Sequence, residues 1–192
     1  MKLYLAGPEV FHAQAVEIGR AKRAACAARG FDGLYPIDAD VAPGAPPPSG
    51  AADAARIYAA NLALIEAADA VVANVSPFKS YDCDPGTAWE IGFAAARGLL
   101  VCAYANDGRA VAERERALRE AAAGAGGFGP AESLFPLRDT AAEDFGMPAN
   151  LMIAESVARS GGFLELAPEI RPFEDLAAFE ACLDRLAAKR RA

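Results

Sequence analysis

DAVVANVSPFKSYDCDPGTAWEIGFAAARGLLVCAY, residues 69–104, carries the pattern of an α/β unit. Its first seven residues, DAVVANV, are apolar and β-branched, which predicts a buried strand. SPFKSYDCD, 76–84, is polar and reads as a loop. Pro85 then stands where a first helical position tolerates a missing N–H, and the following segment stays apolar to Arg97. Gly98 ends that helix, and LLVCAY, 99–104, forms a further strand. A strand, a crossover helix and another strand make a parallel pair with the helix packed on one face.

Upstream of this unit, KLYLA at 2–6 is a short apolar strand stopped by Gly7 and Pro8. Apolar residues recur at helical spacing from 12 to 29, and Gly30 is a C-terminal stop. FDGLYP, 31–36, reads as a second strand. DVAPGAPPPSGA, 40–51, is too rich in proline and glycine for regular structure, and a helix is expected over 52–68. Downstream, a charged helix is predicted near 109–122, a loop over GAGGFGP at 124–130, a short helix over 150–160, a strand at FLELA and a final helix over 172–191. The result is one α/β domain spanning 1–192, with a parallel sheet whose ligand-binding rim carries the loops after residues 6, 36, 75 and 104.

The bulk composition excludes several functions. With 19 basic and 26 acidic residues the formal charge is −7, so a nucleic-acid polymer or an anionic membrane is disfavoured as a partner. No apolar run approaches the length of a membrane span, and the amino-terminal apolar run is too short for a signal peptide, so a cytoplasmic location is expected. Cys26, Cys83, Cys102 and Cys182 are widely spaced without a CxxC pair, which predicts free thiols and no metal centre. AGPEVF lacks the GxGxxG spacing, no GxxxxGK occurs, and the single histidine, His12, has no nucleophile in a recognised elbow.

One carboxylate stands out. Glu90 is the only acidic residue within the apolar helix after Pro85, and its neighbours at three and four positions are Thr87, Phe93 and Ala94. A solvent-facing glutamate is the plain structural reading, yet these neighbours make a poor solvent face, and a buried carboxylate is usually paired or used. Asp84 precedes Pro85 and suits a helix cap. Even as a cap, it lies on the rim about 9 Å along the helix from Glu90, at ~1.5 Å per residue. Two carboxylates at one cleft are what cleavage of a glycosidic bond requires, one to attack the sugar and one to protonate the departing group.

The blocks LYLAGPEVF (3–11), NLALIEAADAVVANVSPF (61–78), DPGTAWEIGFA (84–94) and NLM (150–152) occur in the order seen in nucleoside 2′-deoxyribosyltransferases, and the chain resembles that family over most of residues 1–105 plus the later motif. The resemblance implies a flavodoxin-like sandwich of about five strands in the order 2-1-3-4-5, and a cofactor-free retaining transfer of 2-deoxyribose between nucleobases. It implies that Glu90 is the nucleophile, that Asp84 contacts the base and supplies or relays its proton, and that Tyr4 orients the Glu90 carboxylate. A core aromatic is the structural alternative for Tyr4. Gly7, Phe11, Asp40, Asn61, Gly86, Asn150 and Met152 are implied as substrate contacts. Asp40 is the nearest match to the base-recognition residue, and Asn61 stands where some members carry an aspartate near the sugar 5′ end. Asn150 and Met152 match a segment that reaches a neighbouring subunit's site, which implies a homo-oligomer. As helix residues they read instead as an N-cap and a core methionine. Two rivals share these residues: a hydrolase of deoxynucleosides or their 5′-monophosphates, and a non-catalytic nucleotide-binding domain.

Overall fold

The computed structural model describes residues 1–36, 49–124 and 141–191. Five parallel strands, β1 (Lys2–Ala6), β2 (Asp32–Leu34), β3 (Ala70–Asn74), β4 (Leu100–Ala105) and β5 (Leu164–Leu166), form one sheet in the order β2-β1-β3-β4-β5. Tyr4 pairs with Leu34 on one side and Val71 on the other, and Val71 in turn pairs with Val101. β1 and β3 are central and buried on both faces, as the continuous apolar runs require. Strand alternation divides β1 between two cores: Leu3 and Leu5 face one, Tyr4 and Ala6 the other.

The described residues form six α-helices around the sheet: α1 (Ala15–Ala28), α2 (Gly50–Ala67), α3 (Pro85–Ala96), α4 (Val111–Gly124), α5 (Leu151–Arg159) and α6 (Ala177–Arg191). α6 packs with the Leu3–Leu5 core through Phe179, Cys182, Leu183 and Leu186. Ile91 and Ala94 of α3 and Ile153 and Val157 of α5 fill the Tyr4 side. All four cysteines are buried free thiols. No described helix is long and apolar enough to cross a membrane.

The expected elements form, with shifts at their ends. α1 begins at Ala15 rather than near 12, because Pro8 starts a separate 3-10 turn over Pro8–Phe11 that the periodicity does not reveal. α6 begins at Ala177 rather than at 172, and the Asp175 carboxylate accepts the N–H of that first helical residue at 2.8 Å. Gly30 and Gly98 take the left-handed conformation that ends α1 and α3, φ 74° and 76°. Most of the proline-rich segment, the glycine-rich segment after residue 124 and Asp40 lie outside the described residues.

Candidate active site

The site begins with one hydrogen bond. The Tyr4 hydroxyl donates to Glu90 Oε1 at 2.5 Å, linking the middle of β1 to the second turn of α3. Tyr4 is fully buried, so the two readings of it coincide: it is a core aromatic that also holds the carboxylate. It sits third of five residues in β1 rather than at the strand end, and its ring reaches α3 because the even positions of the strand face that helix. Glu90 is half-buried. Burial pushes its carboxyl up to about 7, with the nearby negative charge of Asp84 adding to the rise and the Tyr4 hydrogen bond opposing it. Burial, then the Glu90 charge, pushes the Tyr4 hydroxyl far above its usual range, so it remains a donor.

Asp84 is the N-cap of α3, as its place before Pro85 predicts. Its Oδ2 accepts from the Thr87 N–H at 2.9 Å and the Thr87 hydroxyl at 3.2 Å. Both bonds fall on one oxygen, and among the described residues Oδ1 accepts none. Gly86 makes room for this: a Cβ there would lie 2.9 Å from Asp84 Oδ2. Thr87 itself, buried at the base of the cap, escaped the sequence reading, although the spacing D-x-x-T was its signal.

Gly7 has a different reason for being glycine. A Cβ there would collide with Glu9 Oε2 and lie 2.9 Å from Asn74 Cβ. Glu9 is buried, and its Oε1 accepts from Lys22 Nζ at 2.6 Å, Asn74 Nδ2 at 2.7 Å and the Tyr104 hydroxyl at 2.7 Å. Burial alone would raise this carboxyl, but the Lys22 charge and the three hydrogen bonds outweigh it and hold Glu9 below the usual range. The network ties the turn after β1 to the ends of β3 and β4. Neither Glu9 nor Lys22 was singled out in the sequence. Lys22 had a signal, since it lies in the buried stripe Ile18, Lys22, Ala25, Cys26 of α1.

Phe11 projects from the 3-10 turn with 62% of its surface exposed. Its ring stacks on Phe78, centroids 5.4 Å apart, and the Lys79 ammonium stands 5.2 Å and 4.8 Å from the two rings. Asn61 lies in α2, half-buried.

Asn150 and Met152 sit elsewhere. Asn150 caps α5, accepting the Met152 N–H at 3.0 Å, while its Nδ2 donates to Glu143 Oε2 at 2.6 Å. The capping reading of Asn150 holds. Met152 is no core residue, being 68% exposed. Both line a cavity of about 320 Å3 between α3 and α5, with Ala88, Ile91 and Gly92 on its other wall. At about 100° per residue, Ala88 and Gly92 point away from Glu90 around the helix. Thus Tyr4, Glu90, Asp84 and Gly86 come together, whereas this chain's Asn150 and Met152 lie behind α3.

The sequence profile of nucleoside 2-deoxyribosyltransferases matches residues 3–152, a span that contains Tyr4, Asp84, Glu90 and the NLM segment. The chain belongs to that family. A 2-deoxyribosyltransferase from Leishmania mexicana is similar in structure, with a TM-score of 0.59 and 29% identity over 95% of this chain and 97% of that one. A conserved protein from Enterococcus faecalis shares the fold at 18% identity, with a TM-score of 0.54 over 97% and 98% of the two chains. In sequence, an uncharacterized protein of Schizosaccharomyces pombe is 30% identical over 97% of this chain and 89% of its own length. Membership in this family supports deoxyribosyl transfer or a related cleavage of the N-glycosidic bond, performed on nucleosides and nucleobases.

Proposed function

We propose that this protein transfers a 2-deoxyribosyl group between nucleobases by a retaining double displacement. In the first half, a Glu90 oxygen bonds to the anomeric carbon as the C–N bond breaks. The bonding pair leaves with the base, which takes a proton supplied or relayed by Asp84. In the second half, an acceptor base attacks the same carbon from the side opposite Glu90, its N–H proton returns by way of Asp84, and the Glu90 carboxylate departs. Two inversions give net retention.

The observation that carries this reading is the buried Tyr4 hydroxyl on Glu90 Oε1. A tyrosine that never ionises fixes one carboxylate oxygen and leaves the other for the sugar, which restricts the nucleophile to a single approach. Asp84 is close enough to raise the Glu90 carboxyl, and its Oδ1 is the oxygen left for the base. Phe11 and Phe78 offer a stacked aromatic surface on the rim where a planar base would lie.

The position of Asn150 and Met152 behind α3 supports a homo-oligomer in which each chain's exposed Met152 serves another chain's site. The nucleoside and the free base are then the small-molecule partners.

The test is incubation with 2′-deoxyinosine and a panel of purine and pyrimidine acceptors, read by chromatography. New nucleoside should form faster than free deoxyribose. Release of free sugar at a rate indifferent to the acceptor would identify a hydrolase instead. Glu90→Ala should abolish both reactions, and near-normal transfer by that variant would refute the nucleophile.

A further inference from the structure

α4 reads in sequence as a charged helix, yet its Arg114 is only 4% exposed. Its guanidinium spends its donors on backbone carbonyls from three separate segments. Nε donates to Tyr81 O at 2.8 Å, Nη1 to Asp107 O at 3.2 Å and Nη2 to Pro148 O at 2.8 Å. These carbonyls belong to the loop after β3, the loop after β4 and the segment that enters α5. A planar fork of fixed N–H directions holds three such groups in one relative geometry, whereas the three donors of a lysine ammonium rotate on a flexible stem and fix it less well.

The first of these anchors lies three residues before Asp84. Between them the chain has little freedom: the Phe78 N–H donates to Asp82 O at 2.9 Å, the Cys83 N–H donates to Asp82 Oδ1 at 2.8 Å, and the Cys83 side chain is buried. The loop is therefore a short rigid arm running from Tyr81 to the α3 cap. The third anchor lies two residues before Asn150, whose segment is held in addition by Glu143. We propose that Arg114 is a positioning residue for the glycosyl reaction: by fixing Tyr81 O against Pro148 O and Asp107 O, it holds the 81–84 arm so that Asp84 meets the departing base. The inference rests on the reading of Asp84 as the proton source.

A role in proton delivery has a signature that a role in stability lacks. 2′-Deoxyguanosine loses its base with the help of a proton, whereas 7-methyl-2′-deoxyguanosine already carries a positive charge on the base and releases a neutral one unaided. Both substrates are assayed with adenine as acceptor on the same preparation, so any unfolded fraction cancels in the ratio of the two rates. Arg114→Met should lower the 2′-deoxyguanosine rate at least tenfold relative to the methylated substrate, and Arg114→Lys should recover part of that loss. Asp84→Asn serves as the reference, with the same selective loss. If Arg114→Met slows both substrates equally while Asp84→Asn is selective, Arg114 has a structural role alone and the inference fails. If Asp84→Asn shows no selectivity, the proton-source assignment fails and this inference falls with it.

Discussion

Glu90 is a carboxylate held near neutrality by its burial, and a nucleophile must be ionised to attack. On this account kcat/KM rises with pH through an inflection near 7, since the charged form grows as the proton leaves. Tyr4 opposes that shift by hydrogen bonding to the anion. Tyr4→Phe should therefore move the acidic limb to higher pH and lower the plateau about tenfold or more, through loss of orientation. A pH–rate profile of the variant checks both, and an unmoved limb would show that the hydroxyl does not hold the reactive oxygen. The stability consequence has the opposite sign to that of an ordinary paired carboxylate. A raised carboxyl binds its proton more tightly folded than unfolded, so Glu90 detracts from stability as pH rises from the usual carboxylate range through 7. At pH 8 Glu90→Gln should stabilise the fold by about 2 kcal/mol, with little effect at pH 4, as measured by denaturant unfolding at the two pH values.

At the N-terminus of α3 one residue, Asp84, is both the helix cap and the proposed acid, and Gly86 leaves room for its carboxylate. Replacing Gly86 by alanine favours an exposed helical turn by up to about 1 kcal/mol, but the new Cβ would press on Asp84 Oδ2. Gly86→Ala should thus lower turnover while the melting temperature changes little, the gain in helix propensity being offset by the weakened cap. A fall in both would instead mark Gly86 as a folding residue. This helix also shows what the sequence could reveal. Its apolar composition, its capping aspartate and its lone glutamate were readable from spacing, as were the five strands and their order through the family resemblance. The 3-10 turn at Pro8–Phe11 is not legible there, because it carries Glu9, whose partners Lys22, Asn74 and Tyr104 come from three other elements. Arg114 was hidden for the same reason: nothing local distinguishes an arginine that faces water from one that gathers three distant carbonyls. Charge in a helical pattern is read as surface until tertiary contacts say otherwise.

For the molecule as a whole, the Glu9–Lys22 pair joins α1 to the turn after β1 and the ends of β3 and β4, beneath the rim that bears the site. Removing one partner strands a buried charge, so Lys22→Met should destabilise the fold by about 3–5 kcal/mol, read from denaturant unfolding at pH 7. Little or no loss would mean that the pair is not held dry. The surface carries a second whole-molecule signal. Of the 18 residues of α2 only Ile65 is buried, and Tyr58 of α2 stacks at a tilt on Trp89 of α3, both rings substantially exposed. Apolar helix surface left open in this way suits association between copies of the chain. Trp89→Glu should then lower the assembly state seen by light scattering. The covalent bond to Glu90 is tested by the mass of the intact protein after incubation with a 2′-fluoro deoxynucleoside analogue, whose second step is slowed enough to trap the sugar. The expected result is a gain equal to one fluorinated deoxyribosyl group per chain, mapped by peptide digestion to Glu90. Turnover of natural deoxynucleosides with no such adduct, or with the sugar bonded to another residue, would contradict it.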